Sequence, residues 1–185
     1  AAFRVSTGQG PHCATPPPCV LDRFSRALGI AVSGPPLSSA VAPGLGTGSS
    51  TAALVLLARL AGWQGSPAVL ARACLAAEGA TDPLMYPDPD VLLWASRTAT
   101  RLCHLPAPSR FEVVGGFWGA PARTDPADLR FPDIRDLVDA WRKAPPLARM
   151  AALATESAIR TTGQRGPDDD PTAQIARALG ALGLA

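Results

Sequence analysis

A loop of glycine and hydroxyl residues is the part of the chain best suited to chemistry. Between a predicted strand and a predicted helix, the sequence reads Pro43, Gly44, Leu45, Gly46, Thr47, Gly48, Ser49, Ser50 and Thr51. Glycine tolerates a positive φ and lets the backbone approach a ligand closely, because it has no Cβ. A helix start presents unpaired N–H groups, reinforced by the macrodipole, to whatever lies in front of it. Since that arrangement suits phosphate, we predict a nucleotide-phosphate site; a plain structural turn is the alternative.

Two common phosphate loops do not match this pattern. A Walker A loop requires Lys before Ser or Thr, whereas Ser49 follows Gly48 directly and no lysine is near. The dinucleotide fingerprint requires G-x-G-x-x-G and an acidic residue about twenty positions later. Here the third glycine has the wrong spacing, and no acidic residue lies near position 70. A different kind of phosphate loop is therefore indicated.

The elements on either side would hold the loop in place. Residues 37–41 are typical of a short strand, and Ser49 or Ser50 could cap the helix that follows. Arg59 is the only charged residue between positions 52 and 61, which predicts a helix buried on all sides. A loop attached to such a helix would be fixed to the most rigid part of the protein.

The rest of the chain alternates between helical periodicity and turns. No regular element is predicted for residues 1–19, where Gly and Pro occur without periodicity. A turn is predicted at 123–126 and a polar break at 163–171. Helices are predicted over 20–28, 67–77, 134–141, 147–160 and 172–182, and strands over 91–94 and 111–114.

Composition narrows the functional classes. Of the 185 residues, 47% are hydrophobic and 17% are charged, as in a globular protein with one core. The 17 basic and 15 acidic residues leave a net charge of +2, too balanced for a nucleic-acid surface. The longest apolar run, 52–60, is too short to span a bilayer, and no signal-peptide pattern opens the chain. We therefore expect a soluble, cytoplasmic protein that binds neither nucleic acid nor membrane.

The cysteines and tryptophans suggest no chemistry of their own. No zinc-ligand spacing occurs, even with His12 beside Cys13, so free thiols are expected. The tryptophans are interpreted as core or subunit-contact residues, which is compatible with a homodimer. The residues concerned are Cys13, Cys19, Cys74, Cys103, Trp63, Trp94, Trp118 and Trp141.

The glycine loop resembles the second motif of the GHMP kinases, the family of galactokinase, homoserine, mevalonate and phosphomevalonate kinases. That motif reads roughly Pro-x-Gly-x-Gly-Leu-Gly-Ser-Ser-Ala-Ala at the start of a buried helix. Thr51 in place of the first Ala is most like the L-threonine kinase branch of cobalamin biosynthesis and propanediol utilisation. Segments 78–86, 111–116 and 154–158 also resemble that branch. The corresponding loop positions here are Gly44, Gly46, Gly48, Ser49, Ser50, Ala52 and Ala53.

The resemblance implies a GHMP-type α+β fold, with a region like the second domain of ribosomal protein S5 and a partial C-terminal α/β region. The implied division is an irregular segment at 1–19, an ATP-binding region at 20–107 and the partial region at 108–185. Relative to the family, the opening strands and a late Gly-rich motif are missing, so we expect a chain shortened at both ends. Within the loop, Pro43 directly precedes Gly44, and Thr47 replaces the usual Leu or Met.

The resemblance also implies the roles of individual residues. Backbone N–H groups of residues 44–50 would hold the phosphates of ATP within a nucleotide-binding loop over 43–51, and the hydroxyl of Ser49 or Ser50 would meet Mg²⁺. Asp82 would lie near the acceptor hydroxyl as a base or electrostatic aid. Glu78 is a further, less favoured candidate, as a ligand of Mg²⁺. An ordinary Asp-Pro turn and a solvated helix end are the respective alternatives.

Two functions follow from these roles. The first is an ATP-dependent kinase that phosphorylates a hydroxyl of a small amino acid or amino alcohol, most like L-threonine. The second is a non-catalytic GHMP-like remnant that serves as a nucleotide-binding or subunit-interaction module. Formation of ADP in the presence of threonine would separate them.

Overall fold

Helices make up most of the regular structure, and two small antiparallel sheets complete it. The computed structural model describes residues 5–7, 11–117, 125 and 127–183. The predicted α+β class is confirmed at this level, while the GHMP-type fold remains a prediction. The described residues form two units: those up to 103 with 125 and 127, and 104–117 with 128–183. The division at 1–19, 20–107 and 108–185 also remains a prediction.

The first unit holds both sheets and three helices of the described chain. A 3₁₀ turn, Pro89–Val91, precedes the second sheet. In chain order the elements are β1 (Val5–Thr7), β2 (His12–Cys13), α1 (Pro18–Leu28), β3 (Leu37–Ser39), α2 (Ser49–Leu60), α3 (Pro67–Glu78), β4 (Leu92–Ala95) and β5 (Thr100–His104), which ends at the unit boundary.

The first sheet leads directly into the glycine loop. Its central strand is β3, which pairs antiparallel with β1 and with β2. All three β3 residues are buried, so the loop leaves from an anchored position. The sequence predicts no regular element within 1–19, and this is wrong, because β1 and β2 lie there. Both are very short, and their hydrogen-bonding partner β3 is distant in sequence, so no local pattern reveals them.

The core of the first unit forms where α1, α2 and α3 pack. Phe24 is fully buried among apolar residues of the other two helices, including Leu54 and Cys74. Proline begins both α1 and α3, where the missing N–H costs nothing, and left-handed Gly29 and Gly79 end them. The prediction that α2 is buried is confirmed for most of its length, although Arg59 and Leu60 at its end are exposed.

The second sheet is the β4–β5 hairpin. The strand predicted at 91–94 is confirmed as β4, shifted by one residue. Strand β5 was not predicted. Four of its five residues are exposed, so the alternation that marks a half-buried strand is absent.

The described part of the second unit is helical, with α4 (Arg135–Trp141), α5 (Leu147–Arg165) and α6 (Thr172–Ala178). Helix α4 matches its prediction, α5 is longer than predicted, and α6 is shorter. The strand predicted at 111–114 is wrong: this segment has no regular structure, and Val113 and Val114 are about 80% exposed. Strand-forming residues make a strand only where a partner pairs with them. Trp118 and most of the predicted turn at 123–126 lie outside the described residues.

Candidate functional site

The glycine loop has the backbone that its composition predicts. Gly44, Gly46 and Gly48 have φ values of +87°, +71° and +68°, in the left-handed region that L-residues rarely adopt. A Cβ at Gly46 would meet nothing within 4 Å, so space is open in front of this residue. A Cβ at Gly48 would lie 2.9 Å from Oδ2 of Asp82. The loop is therefore open in front of Gly46, whereas Gly48 faces the carboxylate of Asp82.

Helix α2 begins without a side-chain cap. The N-cap residue is Gly48, so the prediction that Ser49 or Ser50 caps the helix is wrong; they are its first two residues. The first hydrogen bond of the helix runs from the N–H of Ala52 to the carbonyl of Gly48, at 3.0 Å. The N–H groups of Ser49, Ser50 and Thr51 donate no hydrogen bond to the described chain. Three aligned donors are thus available at the positive end of the helix dipole.

Ser50 and Glu78, two of the three predicted Mg²⁺ ligands, are in direct contact. The Oγ of Ser50 donates a hydrogen bond to Oε1 of Glu78, although 28 residues separate them in sequence. Glu78 is the last residue of α3, where the negative end of the helix dipole disfavours a carboxylate. A cation held between these two side chains would offset that repulsion. Ser49, the third predicted ligand, is half-buried and makes no side-chain hydrogen bond to the described residues.

Asp82 lies in a turn whose backbone groups form hydrogen bonds with two side chains and one carbonyl. Its N–H donates to Oγ1 of Thr51 at 3.3 Å. The preceding residue, Thr81, donates its N–H to the carbonyl of Ser96 at 3.1 Å. The indole N–H of Trp94 donates to the carbonyl of Thr81 at 2.7 Å. Because Thr51 and Thr81 are each only 3% exposed, these bonds are shielded from water.

The carboxylate of Asp82 is partly buried and unpaired. Among the described residues it has no hydrogen bond and no ion pair, and burial raises its pKa above the ordinary value of 3.8. An unpaired carboxylate out of water is unfavourable for stability. Such groups concentrate at functional sites, where they bind a cation or take up a proton. Its position beside Gly48 puts this chemistry at the head of α2.

The loop contains one more polar atom without a partner. The Oγ1 of Thr47 is buried and forms no hydrogen bond in the described chain. This hydroxyl is a hydrogen-bond donor in the same loop as the three N–H groups of α2, and leaving it without a partner is unfavourable. Since carboxylates and hydroxyls suit Mg²⁺, the donor set fits a magnesium-bound phosphate chain.

Two cavities lie away from this loop. One, of about 690 Å³, lies along α5 and α6 and includes Ala158 and Thr172. The other, of about 320 Å³, is bordered by Arg59, Trp63 and Met85. The candidate site is instead an open cradle at the surface, where Pro43, Gly46 and Ser50 are exposed.

Sequence reasoning missed the part of the site that holds Asp82. The prediction that Trp94 is a core residue is confirmed, since it packs against the core, and its indole N–H also donates a hydrogen bond to the Asp82 turn. The signal was the indole itself, because a buried Trp N–H usually finds an acceptor. Thr51 is among the predicted nucleotide-binding residues; its hydroxyl oxygen accepts the backbone N–H of Asp82, and its own backbone N–H remains available to a phosphate.

One of the four cysteines, Cys74, interacts with the site residue Glu78. None of the four cysteines is in a disulfide, and burial, together with the nearby Glu78 carboxylate, raises the pKa of Cys74 to about 12. Within the described residues, no group of three or more His, Cys, Asp or Glu side chains could hold a metal ion. No described helix has both the length and the apolar character needed to cross a membrane.

Comparisons of this chain with protein families, curated proteins and solved structures found no match.

Proposed function

We propose that the chain binds MgATP at residues 43–51 and transfers a phosphoryl group to a hydroxyl of a small amino acid or amino alcohol, such as L-threonine. The observation that carries this proposal is the unpaired carboxylate of Asp82 beside Gly48, at the uncapped start of α2. Anion-binding N–H groups and a proton acceptor next to one another are what phosphoryl transfer to an alcohol requires.

Each residue has a distinct task in this proposal. The N–H groups at the start of α2 and the hydroxyl of Thr47 bind phosphate oxygens. Ser50 and Glu78 hold the magnesium ion, which neutralises phosphate charge. Asp82 orients the acceptor hydroxyl and takes up its proton as the oxygen attacks phosphorus. The raised pKa of Asp82 supports this task, because a stronger base accepts the proton more readily.

A nucleotide-binding module without catalysis is the second candidate. The observation that favours it is the open surface of the cradle, where Pro43, Gly46 and Ser50 are exposed. An active site that excludes water usually needs more enclosure than this.

Titration of the purified chain with MgATP, with and without L-threonine, tests both functions. The kinase predicts binding together with ADP formation that depends on threonine. Binding without ADP formation favours the module. If MgATP does not bind at millimolar concentration, the assignment of the loop is wrong.

Replacement of Asp82 tests the chemistry separately from binding. We expect Asp82→Asn to lower kcat by about 10²- to 10⁴-fold, as loss of a general base does, with little change in MgATP affinity. Asp88→Asn is the matched control, because Asp88 is an exposed carboxylate six residues further along. Equal turnover in the Asp82 variant and the control would exclude Asp82 as the base.

A further inference from the structure

The Asp82 turn is held from two directions by residues that would not touch a substrate. On one side, the buried hydroxyl of Thr51 accepts the N–H of Asp82, at 3.3 Å. On the other, the hairpin holds Thr81 through the indole of Trp94 and the carbonyl of Ser96. The first contact bridges 31 residues of sequence and the second 13.

The bond at Thr51 has a particular consequence, because Thr51 lies in the first turn of α2. The same turn carries the free N–H groups of Ser49 and Ser50. A single hydroxyl therefore connects the anion-binding donors to the backbone of the carboxylate residue. Without this bond, the carboxylate would move toward water, since its burial beside Gly48 is unfavourable.

We infer that Thr51 is a positioning residue, whose hydroxyl holds the Asp82 carboxylate against Gly48 at the head of α2, with Trp94 as a second support. This role rests on the proposed function in so far as the carboxylate serves phosphoryl transfer. It differs from a nucleotide-binding role, because the side chain of Thr51 acts through Asp82. A displacement of reacting groups by about 1 Å can lower the rate about 100-fold. Loss of this one buried hydrogen bond can therefore lower kcat.

Two substitutions of Thr51 separate the hydroxyl from the packing. Thr51→Val keeps the shape but removes the acceptor, and Thr51→Ser keeps the acceptor but removes the methyl group. We expect Thr51→Val to lower kcat by about 10- to 100-fold with a smaller change in the KM for MgATP, and Thr51→Ser to stay close to the parent. If Thr51→Ser is impaired as much as Thr51→Val, the role is packing and the inference is wrong.

A measurement on the ligand-free chain does not depend on activity. NMR titration of the Asp82 carboxyl group reports whether it stays buried. In Thr51→Val we expect the pKa of Asp82 to fall toward 3.8, and in Thr51→Ser to stay raised. An unchanged pKa in Thr51→Val would overturn the inference.

Trp94→Phe provides a second variant should Thr51→Val fail to fold. It keeps the aromatic ring but removes the N–H donor to Thr81, and we expect the same changes in kcat and in the pKa of Asp82. Parent-like values of both in Trp94→Phe would then count against the inference.

The outcomes also separate this inference from the proposed function. A chain that shows no phosphotransferase activity, but whose Asp82 pKa responds to Thr51→Val and not to Thr51→Ser, retains the positioning role and loses the kinase function. If the chain is active, but neither kcat nor the pKa of Asp82 changes in either variant, the kinase function is supported and the positioning role of Thr51 is wrong.

Discussion

Helix α2 of the first unit buries six of its twelve residues, whereas α5 of the second unit buries only two of nineteen. Arg160 on α5 makes ion pairs with Asp136 and Glu156, and Arg165 pairs with Asp128. The two helices thus depend on different forces. Apolar burial holds most of α2, while α5 relies more on charged contacts at its surface.

The difference indicates why the candidate site lies on α2. A cradle of N–H groups needs a helix that does not shift when a charged ligand arrives. Dense packing around Leu54 and Ala58, both fully buried, meets that need. Surface ion pairs such as those of α5 fix a helix less firmly, because salt screens them.

The largest expected effect concerns the loop itself. We expect Gly48→Val to abolish measurable MgATP binding, a loss of at least about 1,000-fold or about 4 kcal/mol. The new side chain would require φ of +68° from a β-branched residue and would meet the Asp82 carboxylate. Isothermal titration calorimetry measures the affinity.

Gly46 and Gly29 provide a matched pair for this prediction. Both have φ of +71°, and a Cβ at either would meet nothing within 4 Å, but only Gly46 lies in the loop. Gly46→Ala should weaken MgATP binding, and Gly29→Ala should not. Equal affinities in the two variants would mean that the space in front of Gly46 is not used by the nucleotide.

The next effect compares the two helices through their cores. We expect both Leu54→Ala and Leu153→Ala to lower the free energy of unfolding by about 3 kcal/mol, since both leucines are buried. Only Leu54→Ala should weaken MgATP binding, because α2 carries the site. Urea unfolding followed by tryptophan fluorescence, combined with the titration, checks both statements. Loss of MgATP binding in Leu153→Ala would contradict the prediction that only α2 carries the site.

A smaller effect follows from the raised pKa of Asp82. Between the unfolded and folded pKa values the folded chain binds more protons, so stability falls as pH rises through this range. The loss persists above the folded pKa, where Asp82 is charged in both states. Asp82→Asn should therefore raise Tm at pH 7, by less than Leu54→Ala lowers it. The gain should vanish near pH 3, below the unfolded pKa. A Tm gain that is equal at both pH values would show that the charge is not its cause.

The smallest effect belongs to α5. Arg160→Gln removes the ion pairs with Asp136 and Glu156, which lie at the surface. We expect a slight fall in Tm at low salt and none in about 1 M NaCl, where the screening length is about 3 Å. Thermal unfolding at the two salt concentrations measures this. A loss that persists at high salt would indicate packing by the arginine stem instead.

Local chemistry made much of the first unit predictable. Ser66 followed by Pro67 marked the start of α3, and nearly uninterrupted apolar residues marked α2 as buried. The failures concerned strands. Strands β1, β2 and β5 were not predicted from the sequence. The apolar residues at 111–114 predicted a strand that the chain does not form. In each case the deciding factor was the presence or absence of a neighbouring strand.

The sequence by itself determined the left-handed backbone at Gly44, Gly46 and Gly48, because only residues without a Cβ adopt it freely. It also determined which residue types in the loop could bind a phosphate. Only the tertiary structure decided that Ser50 meets Glu78 and that Asp82 rests on Thr51, across 28 and 31 residues of chain. Those contacts depend on how α3 and the Asp82 turn pack against α2, and no spacing along the chain encodes that geometry.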